Sequence, residues 1–196
     1  MIIQSLDQWL PNLSKPLVIA GPCSAETQKQ VLETAHAVKN IDGVHIFRAG
    51  IWKPRTRPGS FEGVGKEALK WMNIAKKETG LLTTVEVANA QHVELALKHD
   101  IDILWIGART TVNPFSVQEV ANALKGVDKP VMIKNPINAD LSLWIGAIER
   151  VYAAGTDKII AIHRGFSTAD KSNYRNLPIW RIPMAVSYTH LRAHET

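Results

Sequence analysis

Short apolar runs rich in β-branched residues alternate with amphipathic stretches along this chain, and that alternation restricts it to βα units built around a parallel sheet. Six runs read as strands: Leu17 to Ala20, His45 to Ala49, Leu81 to Val87, Ile103 to Gly107, Pro130 to Lys134 and Lys158 to His163. Several are apolar at successive positions, as strands covered on both faces should be. Between them, Glu26 to Lys39 (Val31, Leu32, Ala35, Val38) and Gly65 to Lys77 (Leu69, Met72, Ala75) carry apolar stripes at i, i+3, i+4 spacing. Gln91 to His99, Ser116 to Leu124 and Leu141 to Ala154 complete the expected helices, with Ser116 and Asp140 as their N-caps for the last two.

The strands recur about every 28 residues, a common repeat length in the eight-fold βα barrel. A doubly wound sheet shares the alternation but places a glycine-rich phosphate fingerprint after its first strand, where this chain has Gly21-Pro22-Cys23-Ser24. The expected fold class is therefore α/β, a (β/α)8 TIM barrel. Two further units would need roughly 50 to 60 residues, and 33 follow His163. Residues Ser187 to Thr196 read Ser-Tyr-Thr-His-Leu-Arg-Ala-His-Glu-Thr, break the rhythm, and resemble translated adapter or vector read-through. The expectation is an incomplete barrel over residues 1–186, truncated after about six βα units, with a non-native tail over 187–196. His190 and His194 have the i, i+4 spacing of a helical metal pair but lie in that tail and are set aside.

Composition narrows the partners. With 45% hydrophobic and 21% charged residues over 196 positions, the chain has material for one ordinary core. No run approaches the roughly 18 apolar residues of a bilayer span, and Met1 to Leu10 lacks a basic region ahead of an apolar one. A cytoplasmic protein with no membrane partner is expected. The single cysteine, Cys23, excludes an internal disulfide and a cysteine-only metal cage. A net charge of +5 suits acidic small molecules and nucleic acid alike, so the placement of the charges has to decide.

Basic residues fall at the C-terminal ends of the expected strands, the face on which barrel active sites are built: Arg48, Arg109, Lys134, and His163 with Arg164. The loop after the second strand, Trp52-Lys53-Pro54-Arg55-Thr56-Arg57-Pro58, adds three cations on a backbone stiffened by proline. Arginine forks and lysine point charges together suit a ligand with two or more anionic groups. Taken singly, each cation is as readily an ordinary solvated side chain. Glu86 near the end of the third strand is either an orienting carboxylate or a salt-bridge partner. Cys23 is either a small packed hydrophobe or a thiolate facing the site, and His163 either a satisfied histidine or a ligand or proton carrier. Trp52 either packs or shapes the loop cavity. The cations are spread over strand ends without an aromatic platform, so nucleic acid is not an expected partner.

Gly21-Pro22-Cys23-Ser24, Arg48-Ala49-Gly50, Lys53-Pro54-Arg55-Thr56, Gly107-Ala108-Arg109-Thr110-Thr111, Lys134-Asn135-Pro136 and His163-Arg164-Gly165 together resemble the 3-deoxy-D-arabino-heptulosonate 7-phosphate (DAHP) synthase family in its short type I form. The resemblance runs in order from Pro16 to about Met184. The related octulosonate 8-phosphate synthases typically have Lys-Ala-Asn-Arg where this chain has Lys53-Pro54-Arg55-Thr56, a difference that favours erythrose 4-phosphate over arabinose 5-phosphate.

The resemblance implies a metal-assisted, aldol-type condensation of phosphoenolpyruvate with erythrose 4-phosphate and water, giving DAHP and phosphate at the first step of the shikimate pathway, toward chorismate and the aromatic amino acids. It implies that Arg109 and Arg164 hold the phosphoenolpyruvate phosphate, Lys134 and Lys53 its carboxylate, with Arg48 and His163 nearby. Arg55 and Thr56 would hold the aldose phosphate, Lys53 would also move a proton, and Glu86 would line the phosphoenolpyruvate site. Cys23 would be one ligand of a divalent metal ion, Mn, Fe, Co or Zn. The family's further ligands, a His in Asp-Pro-Ser-His and a later Glu and Asp, have no matching motif here, so this fragment is expected to be inactive. A homo-oligomeric parent, with room for a fused chorismate mutase domain, is also implied. An octulosonate phosphate synthase and a noncatalytic sugar-phosphate binding module stay open as alternatives.

Overall fold

A computed structural model describes residues 1–10, 16–167 and 178–189, with side chains to Val186. In chain order the elements are α1 (Leu6–Trp9), β1 (Val18–Ala20), α2 (Gln28–Lys39), β2 (Val44–Ala49), α3 (Lys66–Thr79), β3 (Leu82–Val87), α4 (Ala90–Lys98), β4 (Ile103–Ile106), α5 (Ala108–Thr111), α6 (Pro114–Ala123), β5 (Val131–Lys134), α7 (Leu141–Ala153), β6 (Ile159–Ile162) and α8 (Arg181–Thr189). The strands follow one another in the sheet in the order β1-β2-β3-β4-β5-β6. Strand after strand in chain order, parallel and separated by helices, is the arrangement of βα units in a TIM barrel, and the fold matches part of one. No helix among the described residues is long and apolar enough to cross a membrane.

Two compact units divide the chain: Leu10–Val87 with Gln91–Leu104, and Met1–Trp9 with Ala88–Ala90 and Trp105–Thr196. In the first, β1, β2 and β3 pair in parallel, with Ile46 opposite Leu82 and Arg48 opposite Thr84. Ile46, Phe47, Ala49, Val85 and Val87 are fully buried, so adjacent residues face covered surfaces on both sides of the strands. Helix α2 begins at Thr27, whose side chain accepts from Gln30 N, while Gln30 Oε1 turns back to accept from Glu26 N. That exchange is a close relative of the capping box. Val31 and Ala35 of α2 and Ala68, Leu69, Met72 and Ala75 of α3 are the buried stripes expected from periodicity. At the opposite end of the strands, Lys76 bonds Asp100 and Asp102 at 2.7 Å each, and Asp102 accepts from Thr83 N at 2.8 Å.

In the second unit β5 and β6 pair in parallel, Val131 opposite Ile159 and Lys134 opposite Ile162. Helix α7 lays its buried Trp144 against β5, with the indole N–H donating to the Ile133 carbonyl at 3.1 Å. Its N-cap is Asp140, as expected, accepting from Leu143 N at 3.0 Å. The cap of α6 differs from expectation. Asn113 caps it, accepting from Phe115 N and Ser116 N, and Ser116 lies inside the first turn. Proline at the first helical position explains the earlier start, since Pro114 has no N–H to satisfy and its fixed φ suits a helix. The tail expected over 187–196 lies, beyond Thr189, outside the described residues.

Candidate anion-binding site

The first unit gathers Cys23, Arg48, Lys53 and Glu86. Arg48 sits within β2, one residue earlier than a strand-end position, and its guanidinium donates to the Pro22 carbonyl at 2.8 Å. Lys53 Nζ donates to the Cys23 carbonyl at 2.7 Å and lies 3.5 Å from Cys23 Sγ. The loop after β1 thus rests on the start of the loop after β2, and Ala25 N donates to Gly50 O at 2.9 Å to fix the contact. A Cβ at Gly50 would fall 2.3 Å from the Cys23 carbonyl and 2.8 Å from Lys53 Nζ, so the approach requires glycine there.

The Cys23 thiol is exposed, and the neighbouring Lys53 ammonium holds its pKa below the usual thiol range against a smaller opposing effect of burial, with Arg48 assisting. Burial pulls the Arg48 guanidinium below its ordinary value, opposed by the charges of Cys23 and Glu86. Glu86 stands in β3 beside them and acts on the Arg48 guanidinium through its charge. Arg55 and Thr56 lie on the exposed strap that follows Lys53, and Arg55 Nε donates to the Phe61 carbonyl at 2.6 Å.

The second unit carries Arg109, Lys134, His163 and Arg164. Arg109 is exposed on the single turn α5 directly after β4. Lys134 closes β5, with Nζ 4.7 Å from the centre of the Trp105 ring, a cation resting on an aromatic face. Asn135 is fully buried: its side-chain amide donates to Pro136 O at 2.7 Å and Gly165 O at 2.8 Å, and its carbonyl accepts from Arg164 N at 2.7 Å. It fixes the turn that carries Arg164. Sequence reading had Asn135 only as part of a motif, because its function depends on a loop 30 residues further on.

His163 points among aromatic rings, 5.3 Å from Phe166, 5.1 Å from Trp180 and 6.5 Å from Trp144 between centroids. Both ring nitrogens are buried and, among the described residues, neither has a hydrogen-bond partner; desolvation lowers its pKa. Its imidazole packs, while the backbone beside it turns toward Arg164.

The DAHP synthetase I family model matches residues 12–193 of this chain. The chain belongs to that family. Among relatives of the DAHP synthetase I family, phospho-2-dehydro-3-deoxyheptonate aldolase of Thermotoga maritima is 32% identical over 174 residues, covering 89% of this chain and 50% of its own length. A 2-dehydro-3-deoxyphosphooctonate aldolase of Caulobacter vibrioides is 30% identical, covering 91% of this chain and 65% of its own. The crystal structure of the Thermotoga maritima DAHP synthase superposes with a TM-score of 0.72 at 30% identity, over 85% of this chain and 46% of that one. This chain therefore spans about half the length of the Thermotoga relative.

Members of the family are known for divalent metal use, and Cys23 is the residue expected to serve it. Its thiol faces two cations, and among the described residues no group of three or more His, Cys, Asp or Glu side chains could hold a metal ion. Catalytic metal sites normally use three protein ligands, so the described residues by themselves do not fit the ion.

Proposed function

We propose that this chain carries the substrate-binding groups of a DAHP synthase, the enzyme that joins C3 of phosphoenolpyruvate to the aldehyde carbon of erythrose 4-phosphate while water adds at C2 and phosphate leaves. The observation that carries this reading is the pairing of Lys53 with Cys23 at 2.7 Å beside half-buried Arg48, at the foot of the strap bearing Arg55 and Thr56. It sets two fixed cations beside two groups suited to a phosphate.

In this reading Arg109 and Arg164 take the phosphate of phosphoenolpyruvate, Lys134 and Lys53 take its carboxylate, and Arg55 and Thr56 take the aldose phosphate. Fixed cations stabilise the multiply charged substrates and the negative charge that develops as phosphate departs. Lys53, with three protons and a carbonyl partner that fixes its direction, supplies a proton to the aldehyde oxygen as the new bond forms. Arg48, its charge opposed in part by that of Glu86, holds the loop after β1 through the Pro22 carbonyl and favours the Cys23 thiolate. His163 acts through its backbone and packing.

Titration calorimetry with erythrose 4-phosphate and arabinose 5-phosphate tests the reading. Binding of the four-carbon sugar in preference supports it, and preference for arabinose 5-phosphate overturns it in favour of the octulosonate enzyme. Arg55→Ala should weaken erythrose 4-phosphate about ten- to a hundredfold, the loss of a charge-assisted phosphate contact of about 1.5–3 kcal/mol, and leave phosphoenolpyruvate within a factor of about two. Equal losses for both ligands would remove the role given to Arg55.

A further inference from the structure

The strap from Trp52 to Gly65 is closed at its base and exposed along its length. Residues 54–62 are all exposed, so burial does not fix their conformation. Backbone bonds close its base: Lys53 N donates to Glu62 O at 2.7 Å and Gly65 N to Ile51 O at 3.2 Å. At Gly63, with φ of 99°, a Cβ would sit 1.9 Å from the Ile51 carbonyl, so the two ends of the strap meet there without room for a side chain. Within the strap Arg55 Nε donates to the Phe61 carbonyl, and a ring contact joins its base to a neighbouring helix. Trp52 stacks on His92 with centroids 3.9 Å apart and planes 7° from parallel. His92 stands on α4, whose Val93 and Ala96 are buried, so the imidazole is offered from a fixed platform.

From this we infer that His92 is a positioning residue for the aldose-phosphate strap: its imidazole clamps Trp52, and through it the neighbouring Lys53 and the segment carrying Arg55 and Thr56. The inference rests on the proposed function only in naming the strap's ligand as an aldose phosphate. Trp52 and Lys53 are consecutive, and Lys53 must aim its ammonium at the Cys23 carbonyl while its N–H closes the strap. A tryptophan free to turn would let both slip. Stacking is worth enough for this: an aromatic pair contributes a factor of roughly two to ten beyond the area it buries.

The test compares His92→Ala, which removes the stacked ring, with His92→Phe, which keeps an aromatic face. Amide hydrogen exchange followed by mass spectrometry reads the strap directly, and titration calorimetry reads the ligands. With His92→Ala, exchange across residues 52–65 should rise about two- to tenfold while peptides from β2 and α3 stay unchanged. Erythrose 4-phosphate should weaken by a similar factor, with a smaller change for phosphoenolpyruvate. His92→Phe should restore both readouts. Unchanged exchange in the strap, faster exchange spread over the whole unit, or failure of phenylalanine to rescue would each overturn the inference. If the unsubstituted chain binds neither sugar phosphate nor phosphoenolpyruvate, the proposed function fails, and the exchange comparison still decides whether His92 anchors the strap.

Discussion

Cys23 and His163 are both titratable groups displaced from their ordinary values, for opposite physical reasons. A neighbouring ammonium favours the charged form of Cys23, whereas desolvation disfavours the charged form of His163. As the chain has one cysteine, alkylation by iodoacetamide reports that thiol alone. Its rate should rise with a midpoint below the ordinary thiol value of about 8.5, and Lys53→Met should move the midpoint up toward that value. The thiolate is favoured in the fold, so its contribution to stability is present above the unfolded pKa and is lost as pH falls through the lowered folded value. Neutral His163 is likewise favoured in the fold. Stability should therefore begin to fall as pH drops below about 6.5, the unfolded value, and the loss should be complete below the lowered folded one. His163→Phe removes two buried nitrogens that have no partner among the described residues, and should flatten that acid limb of a thermal-melting series while stabilising the fold by about 1 kcal/mol at neutral pH. A variant that melts earlier than the parent at every pH would mean that the ring nitrogens are satisfied by water.

At the scale of elements, the ends of helices separate what local sequence specifies from what it leaves open. Asp140 and Leu141 mark the start of α7 in the sequence and in the structure because a carboxylate immediately before an apolar stripe leaves one placement for the cap. Before α6 two polar residues compete, Asn113 and Ser116, and Pro114 between them decides for Asn113. Asn113→Ala should cost about 1 kcal/mol in denaturant unfolding and Ser116→Ala less than about 0.5 kcal/mol; the reverse order would restore Ser116 as the cap. The sequence gives no bounds for the short helices α1, α5 and α8. One turn, as in α1 and α5, is too short to show a periodicity, and α8 has a proline inside its first turn and an apolar run, Ile182 to Val186, without helical spacing.

Across the whole molecule, 23 basic residues against 18 acidic ones and cations at successive strand ends would give the proposed anion site an attractive field. Affinity for phosphoenolpyruvate should fall several-fold as ionic strength rises from about 0.01 to 0.5 M, since the screening length shrinks from about 30 Å to a few ångströms. A flat salt response would leave the strand-end cations as ordinary surface charge. The strand boundaries read from the sequence agree with the structure to within a residue at every end, because runs of buried β-branched residues between glycine, proline and polar breaks are a local signal. The placing of Arg48, Lys134 and Arg164 at or beside strand ends was legible for the same reason.

The sequence by itself thus determined the βα order, the buried faces and the set of basic residues, all properties set by neighbours within a few positions along the chain. Only tertiary structure decided how those residues are used. Lys53 is directed by the carbonyl of Cys23 30 residues before it, Trp52 by a ring 40 residues after it on another element, and Arg164 by a buried amide 29 residues earlier. His163 was separated from its cation neighbours by an aromatic pocket to which Trp144 contributes from α7 and Trp180 from just ahead of α8. A hydrogen bond or a ring contact acts over a few ångströms of space, and no spacing in the sequence encodes that distance until the sheet has brought the two loops together.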